Sequence, residues 1–227
     1  MSLKEIPLFP LHTVLFPHTP LNLRVFEERY LVMVERCMRQ ERPFGVILIR
    51  SGDEVGSAAV PEDVGTLAQI RSSARQDEQY LLEVEGTQRF RLVDYRQGPE
   101  PYLVGTMESV RDTPYDPSIV LPLAQEVRRL FHTYFEGLVR IAGQKAPDYQ
   151  LPVDAEDLSF VIAAVLQQTS LHERQLMLEL TETRARLQIE KSLIESELTN
   201  ISTVEQTPIA GAVPLAVETL REYTSLN

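Results

Sequence analysis

Residues 80–95 read YLLEVEGTQRFRLVDY, and this stretch carries the clearest structural pattern in the chain. Apolar and polar side chains alternate on both sides of Gly86, with Leu82 and Val84 before it and Phe90 and Leu92 after it. A period of two is typical of a half-buried β-strand. A glycine between two such arms indicates a bulge or a sharp bend that joins them.

Further strand patterns surround this stretch in the first half of the chain. They lie at residues 6–16, 21–25, 44–49, 65–71 and 102–110. The first is interrupted by prolines, which predicts an edge strand with bends. Residues 27–40 change to apolar spacings of three and four, which predict one amphipathic helix. Short strands around a single helix are typical of a small closed or nearly closed barrel.

Helical spacing replaces the strand pattern after the proline-containing segment 111–117, which we interpret as a linker. The apolar positions of 123–141 fall three and four apart and predict a long amphipathic helix. Asp154 belongs to the residue types that favour N-caps, and an apolar stripe over 158–166 follows it. We therefore predict a second helix that begins after Asp154.

A third helix is predicted to begin after Ser170, because Ser170 and Glu173 have the spacing of a capping box. Apolar side chains then recur every seven residues, at Leu180, Leu187, Ile194 and Ile201. The pattern predicts one continuous helix of about 30 residues, or about 45 Å. We expect its apolar stripe to pack inside a three-helix bundle, and any excess apolar face to drive homodimer formation.

These patterns predict an α+β protein with two structural parts. The boundaries are a barrel over residues 1–112, a helical bundle over 117–202 and a C-terminal tail over 203–227.

The composition is that of an acidic globular protein. The chain has 227 residues, with 22 Lys and Arg against 33 Asp and Glu, so its net charge is −11. That charge disfavours general binding of nucleic acid. A single cysteine excludes an internal disulfide. Short apolar runs and an N-terminus unlike a signal peptide favour a cytoplasmic location without membrane insertion.

The histidines lack the spacing of a metal site. His12, His18 and Cys37 are the candidate ligands for a metal ion, but no CxxC or HxxxH pattern links them. His132 and His172 fall beside charged residues on predicted helices, so we interpret them as solvated surface. The sequence predicts no metal and no cofactor.

None of the common catalytic-site patterns occurs. The P-loop, the dinucleotide fingerprint, the nucleophile elbow and the HExxH zinc motif are all absent from the sequence. Cys37 falls on the apolar face of the first helix, which favours a buried thiol over a nucleophile. Lys191 and Ser192 are adjacent in a predicted helix and therefore point about 100° apart. We predict no catalytic residue.

An RNA-binding barrel is the alternative class of function. Its candidate residues are Arg71, Arg75, Arg89, Arg91 and Arg96, interleaved with Tyr80, Phe90 and Tyr95. Aromatic and basic side chains in one sheet are the parts of a base-stacking platform. Glu83, Glu85 and Asp94 lie in the same segment, however, and predict pairing with the arginines instead.

Several dispersed motifs resemble the N-terminal domain of Lon proteases. They lie at residues 6–11, 14–17, 21–27, 29–30, 44–46, 64–66 and 84–90, then at 175–179 and 186–198. The resemblance covers about residues 5–200 and keeps the motifs in order. It implies a PUA-like β pseudo-barrel with one helix, followed by an α-helical bundle that ends in a long helix.

In Lon this domain contributes to substrate recognition and assembly, ahead of an ATPase module and a serine–lysine protease module. Motifs and length both predict that these modules are absent here, which implies a stand-alone, non-enzymatic domain. The motif residues to which we assign a structural role are Pro10, Pro17, Gly45, Gly65, Glu85, Gly86 and Arg89. No substrate-binding residue is assigned.

The resemblance therefore predicts a polypeptide-binding module for unfolded or exposed hydrophobic segments, with a role in protein quality control. Its expected partners are client polypeptides and a protease or chaperone.

Overall fold

The computed structural model describes residues 3–54, 59–141, 143–145, 147–166, 169–204 and 220. The chain divides into two compact units, Met1–Arg111 and Asp112–Asn227. The described part of the first unit holds the strands and one helix, and that of the second holds helices. Most of the predicted C-terminal tail, residues 205–219 and 221–227, lies outside the described residues.

Six strands form one sheet that closes on itself in the first unit. Their bounds are β1 Lys4–Leu11, β2 Pro20–Val25, β3 Phe44–Ser51, β4 Val60–Gln76, β5 Gln79–Gln97 and β6 Leu103–Ser109, and α1 is Glu28–Gln40. The strand order is β2-β5-β4-β3-β1-β6, and a further pairing of β5 with β6 closes the ring. The α+β class and the predicted barrel are confirmed.

One long strand, β5, contains both arms around Gly86. Its first part, Tyr80–Glu85, pairs with β2, and its second part, Phe90–Gln97, pairs with β6. Between them the register against β4 shifts, because Thr66 lies opposite Arg89 while Ala68 lies opposite Gly86. The shift is a β-bulge, as the sequence predicts.

The prediction of an edge strand at residues 6–16 is wrong, because β1 lies between β6 and β3. Its first half, Lys4–Pro7, pairs with β6, and its second half, Leu8–Leu11, pairs with β3. Each half forms registered pairs with one neighbour. Proline has no N–H to donate. On the side where a half of β1 has no partner strand no N–H is required, so Pro7 and Pro10 are tolerated within the sheet.

The single helix α1 packs its apolar face on the barrel. Tyr30, Met33, Val34 and Cys37 are buried in one cluster with residues of β1, β3 and β5. Burial raises the pKa of the Cys37 thiol to about 11. A thiol with that pKa stays protonated and unreactive at neutral pH, which agrees with its predicted role as a small apolar residue.

The described part of the second unit holds four helices, not the three that the periodicity predicts. They are α2 Pro117–Ile141, α3 Ala155–Val165, α4 Leu171–Glu179 and α5 Thr183–Val204. Asp154 caps α3 by accepting from the backbone N–H groups of Glu156 and Asp157 at 2.8 and 3.1 Å. Ser170 and Glu173 form the predicted capping box of α4.

The predicted continuous helix of about 30 residues is also wrong. It is interrupted between Glu179 and Thr183. Arg186 donates to the Leu180 carbonyl at 2.8 Å, and the Thr113 N–H donates to the Thr181 carbonyl at 2.7 Å. A continuous helix would use both carbonyls for its own i+4 bonds. The later heptad residues are buried inside the bundle as predicted, namely Leu187, Ile194 and Ile201.

A buried ion pair holds Asp112, which lies in the segment 111–117 that the sequence predicts to be a linker. Arg186 is fully buried, and its Nη2 lies 2.7 Å from Oδ2 of Asp112. Its Nε donates to the Ser159 hydroxyl at 2.6 Å, and its guanidinium lies 4.0 Å from the centre of the Phe160 ring. Thr183 donates to the same Asp112 oxygen at 2.7 Å. The start of this unit is thereby tied to α3 and α5.

His132 is not the solvated residue that the sequence predicts. Its Nδ1 lies 2.6 Å from the Tyr149 hydroxyl, and the two rings are 5.3 Å apart. Burial lowers the pKa of His132. Tyr149 also packs edge-on against Phe135 of α2 at 5.0 Å, and this packing explains why His132 is partly buried. His172 is exposed as predicted.

Glu190 of α5 makes the helical unit sensitive to pH. Its side chain is fully buried, and neither carboxyl oxygen has a hydrogen-bond partner among the described residues. Burial raises the pKa of Glu190 well above 4.5, and Arg186 offsets part of that effect. The unfolded chain therefore ionises at lower pH than the folded chain. The protonated carboxyl contributes its full stability below the unfolded pKa, and this contribution is lost as the pH rises through the raised folded pKa.

We expect the substitution Glu190→Gln to stabilise the unit relative to the native chain by an amount that grows between about pH 5 and pH 8. Urea unfolding of both proteins across this range measures the difference. The control is Glu195→Gln, an exposed glutamate on the same helix, whose difference should stay flat. Equal pH dependence of the two variants would contradict the prediction.

Candidate functional site

An apolar pocket of about 210 Å³ opens on the barrel between β1, β2 and the start of α1. Its apolar lining consists of Phe9, Leu11, Leu23, Val25, Phe26 and Tyr30. The alternation of β2 turns Leu23 and Val25 to one side, and Phe26 follows where the strand ends. Phe26 is 57% exposed.

Charged groups fix the wall and the rim of this pocket. The Phe9 and Tyr30 rings are 4.2 Å apart, and the Arg29 guanidinium lies 4.5 Å from the centre of the Tyr30 ring. Arg29 pairs with Glu27 at 3.1 Å and donates to the backbone carbonyl of Glu54 at 3.1 Å. Burial raises the pKa of Tyr30, so its phenol stays neutral.

The arrangement suits binding of an apolar side chain. An apolar floor of aromatic and branched residues under a polar rim is the usual form of a ligand pocket. Its rim offers Arg24, Glu27 and Glu54, whose charges suit a polar main chain above the buried side chain. Among the described residues, no group of three or more His, Cys, Asp or Glu side chains is arranged to hold a metal ion.

The seven motif residues to which the sequence assigns a structural role do not line this pocket, and each occupies a position inside the barrel framework. A Cβ on Gly86 would lie 2.1 Å from the Phe16 carbonyl oxygen, and one on Gly65 would lie 2.5 Å from the Val46 carbonyl oxygen. Arg89 is buried. The remaining members are the β1 residue Pro10, the buried Pro17, Gly45 of β3, and Glu85, which accepts from Arg71. These positions support a structural role, which stays a proposal.

The residues of the RNA-binding alternative do not form an open platform. Phe90 and Arg89 are both buried and therefore unavailable for stacking on bases. The other arginines meet carboxylates, in the pairs Arg71–Glu85, Arg75–Glu35, Arg91–Glu108 and Arg96–Glu5. Such pairing lowers the positive potential that a phosphate backbone requires.

The remaining sequence candidates are also separated or engaged elsewhere. Lys191 pairs with Glu126 at 2.8 Å, and the Ser192 hydroxyl donates to the Gln188 carbonyl at 3.1 Å. In the trio considered for metal binding, the two histidines are exposed whereas Cys37 is buried.

Sequence reasoning assigns no residue to the pocket, although one signal was present. Phe26 directly follows Val25, so two large apolar residues are adjacent where the strand alternation should put a polar side chain. A break of this kind at a strand end marks a side chain that the core does not need.

Comparison with known proteins identifies the class of domain to which this chain belongs. The family model of the ATP-dependent protease La (LON) substrate-binding domain matches residues 5–196. The chain therefore belongs to the LON substrate-binding domain family, which is a non-catalytic module. This confirms the resemblance that the sequence motifs indicate.

Two curated relatives are Lon proteases of much greater length. The chain is 26% identical over 224 residues to the Lon protease of Anaeromyxobacter dehalogenans. The match covers 96% of this chain and 26% of that protein. It is 27% identical over 198 residues to the Lon protease of Syntrophus aciditrophicus. That match covers 80% of this chain and 24% of the relative. The chain thus spans about a quarter of the length of these relatives.

Two solved structures share the fold. The Lon N-terminal domain protein from Xanthomonas campestris is 28% identical with a TM-score of 0.62, over 83% of this chain and 98% of that chain. The N-terminal domain of a Mycobacterium avium complex Lon protease is 14% identical with a TM-score of 0.65, over 85% of this chain and 98% of that one. Within the described ranges, no helix is both long enough and apolar enough to span a membrane.

Proposed function

We propose that the chain is a substrate-recognition module that binds polypeptide segments with exposed apolar side chains, and that it acts in the cytoplasm without catalysing a reaction itself. The observation that supports it is the pocket beneath the exposed Phe26, in a chain of the LON substrate-binding family. Client proteins in an unfolded state present such segments. A protease or chaperone that receives the client is the expected partner.

The energetic basis is burial of apolar surface. Full burial of a phenylalanine side chain contributes about 1.5–3 kcal/mol. About half of the Phe26 surface is already buried before a client binds. Tyr30 and Phe9 form a preordered wall, so little side-chain entropy is lost when a client residue enters. Binding should therefore be independent of ATP and only weakly dependent on salt.

The test is the substitution Phe26→Ser in the full chain. The probe is fluorescein-labelled, reduced and carboxymethylated lactalbumin, a chain that cannot refold, and its binding is measured by fluorescence anisotropy. We expect the dissociation constant to rise about four- to tenfold, because the apolar area still to be buried on binding is worth about 0.8–1.5 kcal/mol.

The matched control is Val93→Ser, which removes a 53% exposed apolar side chain of β5 that does not line the pocket. Its binding should equal that of the native chain. Equal weakening by both substitutions would show that general surface hydrophobicity, and not this pocket, binds the client.

A further inference from the structure

A second pocket on the barrel, of about 100 Å³, is lined by an unusual concentration of arginine. It lies between β1, the second half of α1 and the segment 96–104. Arg36, Arg42 and Arg96 face two carboxylates, those of Glu5 and Glu100. In a chain with a net charge of −11, a surface with more guanidinium groups than carboxylates stands out.

The charges in this pocket do not balance. Arg36 Nη1 lies 3.2 Å from Oε1 of Glu100, and Arg96 Nη2 lies 3.0 Å from Oε1 of Glu5. Arg42 donates instead to the main-chain carbonyl of Glu5 at 3.3 Å, and no carboxylate in the described part of the chain pairs with it. The pocket therefore keeps one positive charge without a partner.

An acceptor without a donor lies in the same pocket. Oε2 of Glu100 is buried and has no hydrogen-bond partner among the described residues. A buried acceptor left in this state costs free energy, which a ligand N–H would recover. Apolar side chains, those of Ile6 and Val104, form another part of the lining.

We propose that this pocket binds the C-terminal residue of a polypeptide, with Arg42 and Arg96 holding the α-carboxylate and Glu100 accepting from its amide N–H. Guanidinium groups bind carboxylates through paired, charge-assisted hydrogen bonds. A C-terminal residue carries a carboxylate and an N–H on either side of one Cα, together with a side chain for the apolar wall. The inference rests on the proposed polypeptide binding and names the part of the client that is recognised.

The size of the pocket favours a chain end. Its volume of about 100 Å³ is enough for several water molecules. A carboxylate with a short apolar side chain fills such a space. An internal Asp or Glu would need room for the chain to continue in both directions.

The experiment compares three fluorescein-labelled hexapeptides by anisotropy with the full chain. The first ends in leucine with a free carboxylate, the second is the same peptide as a C-terminal amide, and the third is an amide with an internal aspartate. We expect the free carboxylate to bind at least about tenfold more tightly than both amides, as loss of a charge-assisted hydrogen bond implies. Equal binding of the first two peptides, or of the first and third, overturns the proposal, and so does no binding at about 1 mM.

Variants then assign the effect to this pocket. Arg42→Gln and Arg96→Gln should each weaken binding of the free carboxylate about tenfold and leave the amide unchanged. The control is Arg91→Gln, which removes an equally exposed arginine on β5 outside the pocket. Equal weakening by the control would assign the effect to net charge and overturn the proposal.

The outcomes also separate this proposal from the apolar pocket. If Phe26→Ser weakens lactalbumin binding while amidation has no effect, this inference fails and the proposed function stands. If amidation matters while Phe26→Ser does not, polypeptide binding stands but takes place in the arginine pocket, and the role given to the pocket beneath Phe26 fails.

Discussion

The substitution Gly86→Ala is expected to lower the free energy of unfolding of the barrel unit by about 3 kcal/mol or more. A Cβ at this position would lie 2.1 Å from the Phe16 carbonyl oxygen and 3.1 Å from Cγ of Leu15. The first contact is with backbone, so a side-chain rotation cannot relieve it.

The surrounding hydrogen bonds prevent the two backbones from moving apart cheaply. The Gly86 N–H donates to the Thr19 carbonyl at 2.9 Å, and the His18 N–H donates to the Gly86 carbonyl at 2.7 Å. Separation of the segments would break both bonds and disturb the bulge that directs β5 from β2 to β6. The effect should therefore reach the whole ring.

Hydrogen–deuterium exchange with mass spectrometry measures the loss, because it reports on each unit separately. The control is Gly137→Ala in α2, where a Cβ would lie an ordinary 3.5 Å from Cγ2 of Ile201. Alanine favours a helix over glycine by about 1 kcal/mol, so this variant should be as stable as the native chain or more so. Native-like exchange of the barrel in Gly86→Ala would refute the steric argument.

The second large effect is expected from Arg186→Met, which should destabilise the helical unit by about 3–5 kcal/mol. Methionine keeps a long unbranched side chain at this position. It leaves the Asp112 carboxylate buried without its guanidinium partner. The change also removes the bonds to the Ser159 hydroxyl and the Leu180 carbonyl. Loss of one member of a buried pair costs more than the pair itself contributes.

Urea unfolding followed by far-UV circular dichroism measures this loss, since the helices dominate that signal. The matched control is Arg184→Met, an exposed arginine two positions earlier on α5, for which a change within about 0.5 kcal/mol is expected. The double variant with Asp112→Asn should lose less than the sum of its two single changes. Additive losses would show that the two residues do not stabilise each other.

The elements that local periodicity determines were predicted well from the sequence. The strands at 21–25 and 44–49, the helix after Asp154 and the capping box at Ser170 all appear in the structure. In each case the neighbouring residues decide the outcome, through alternation or through a cap.

The predictions that are wrong concern positions whose structure depends on residues far away in the sequence. The heptad pattern gives no sign that α4 ends at Glu179. The Leu180 carbonyl accepts a hydrogen bond from Arg186, and the Thr181 carbonyl accepts one from the N–H of Thr113. The partner of β1 is likewise set by strands that are far along the chain. The sequence does not predict the arginine pocket for the same reason, since Arg42 and Arg96 are brought together by closure of the sheet.

The pairing of β1 with β6 has a consequence for biosynthesis. Lys4 pairs with Met107, so the first strand made must wait for the last strand of its unit before the ring closes. During translation from the N-terminus, the apolar faces of β1, β2 and α1 emerge before the residues that cover them. We expect the nascent barrel itself to be a client for chaperones until β6 has left the ribosome.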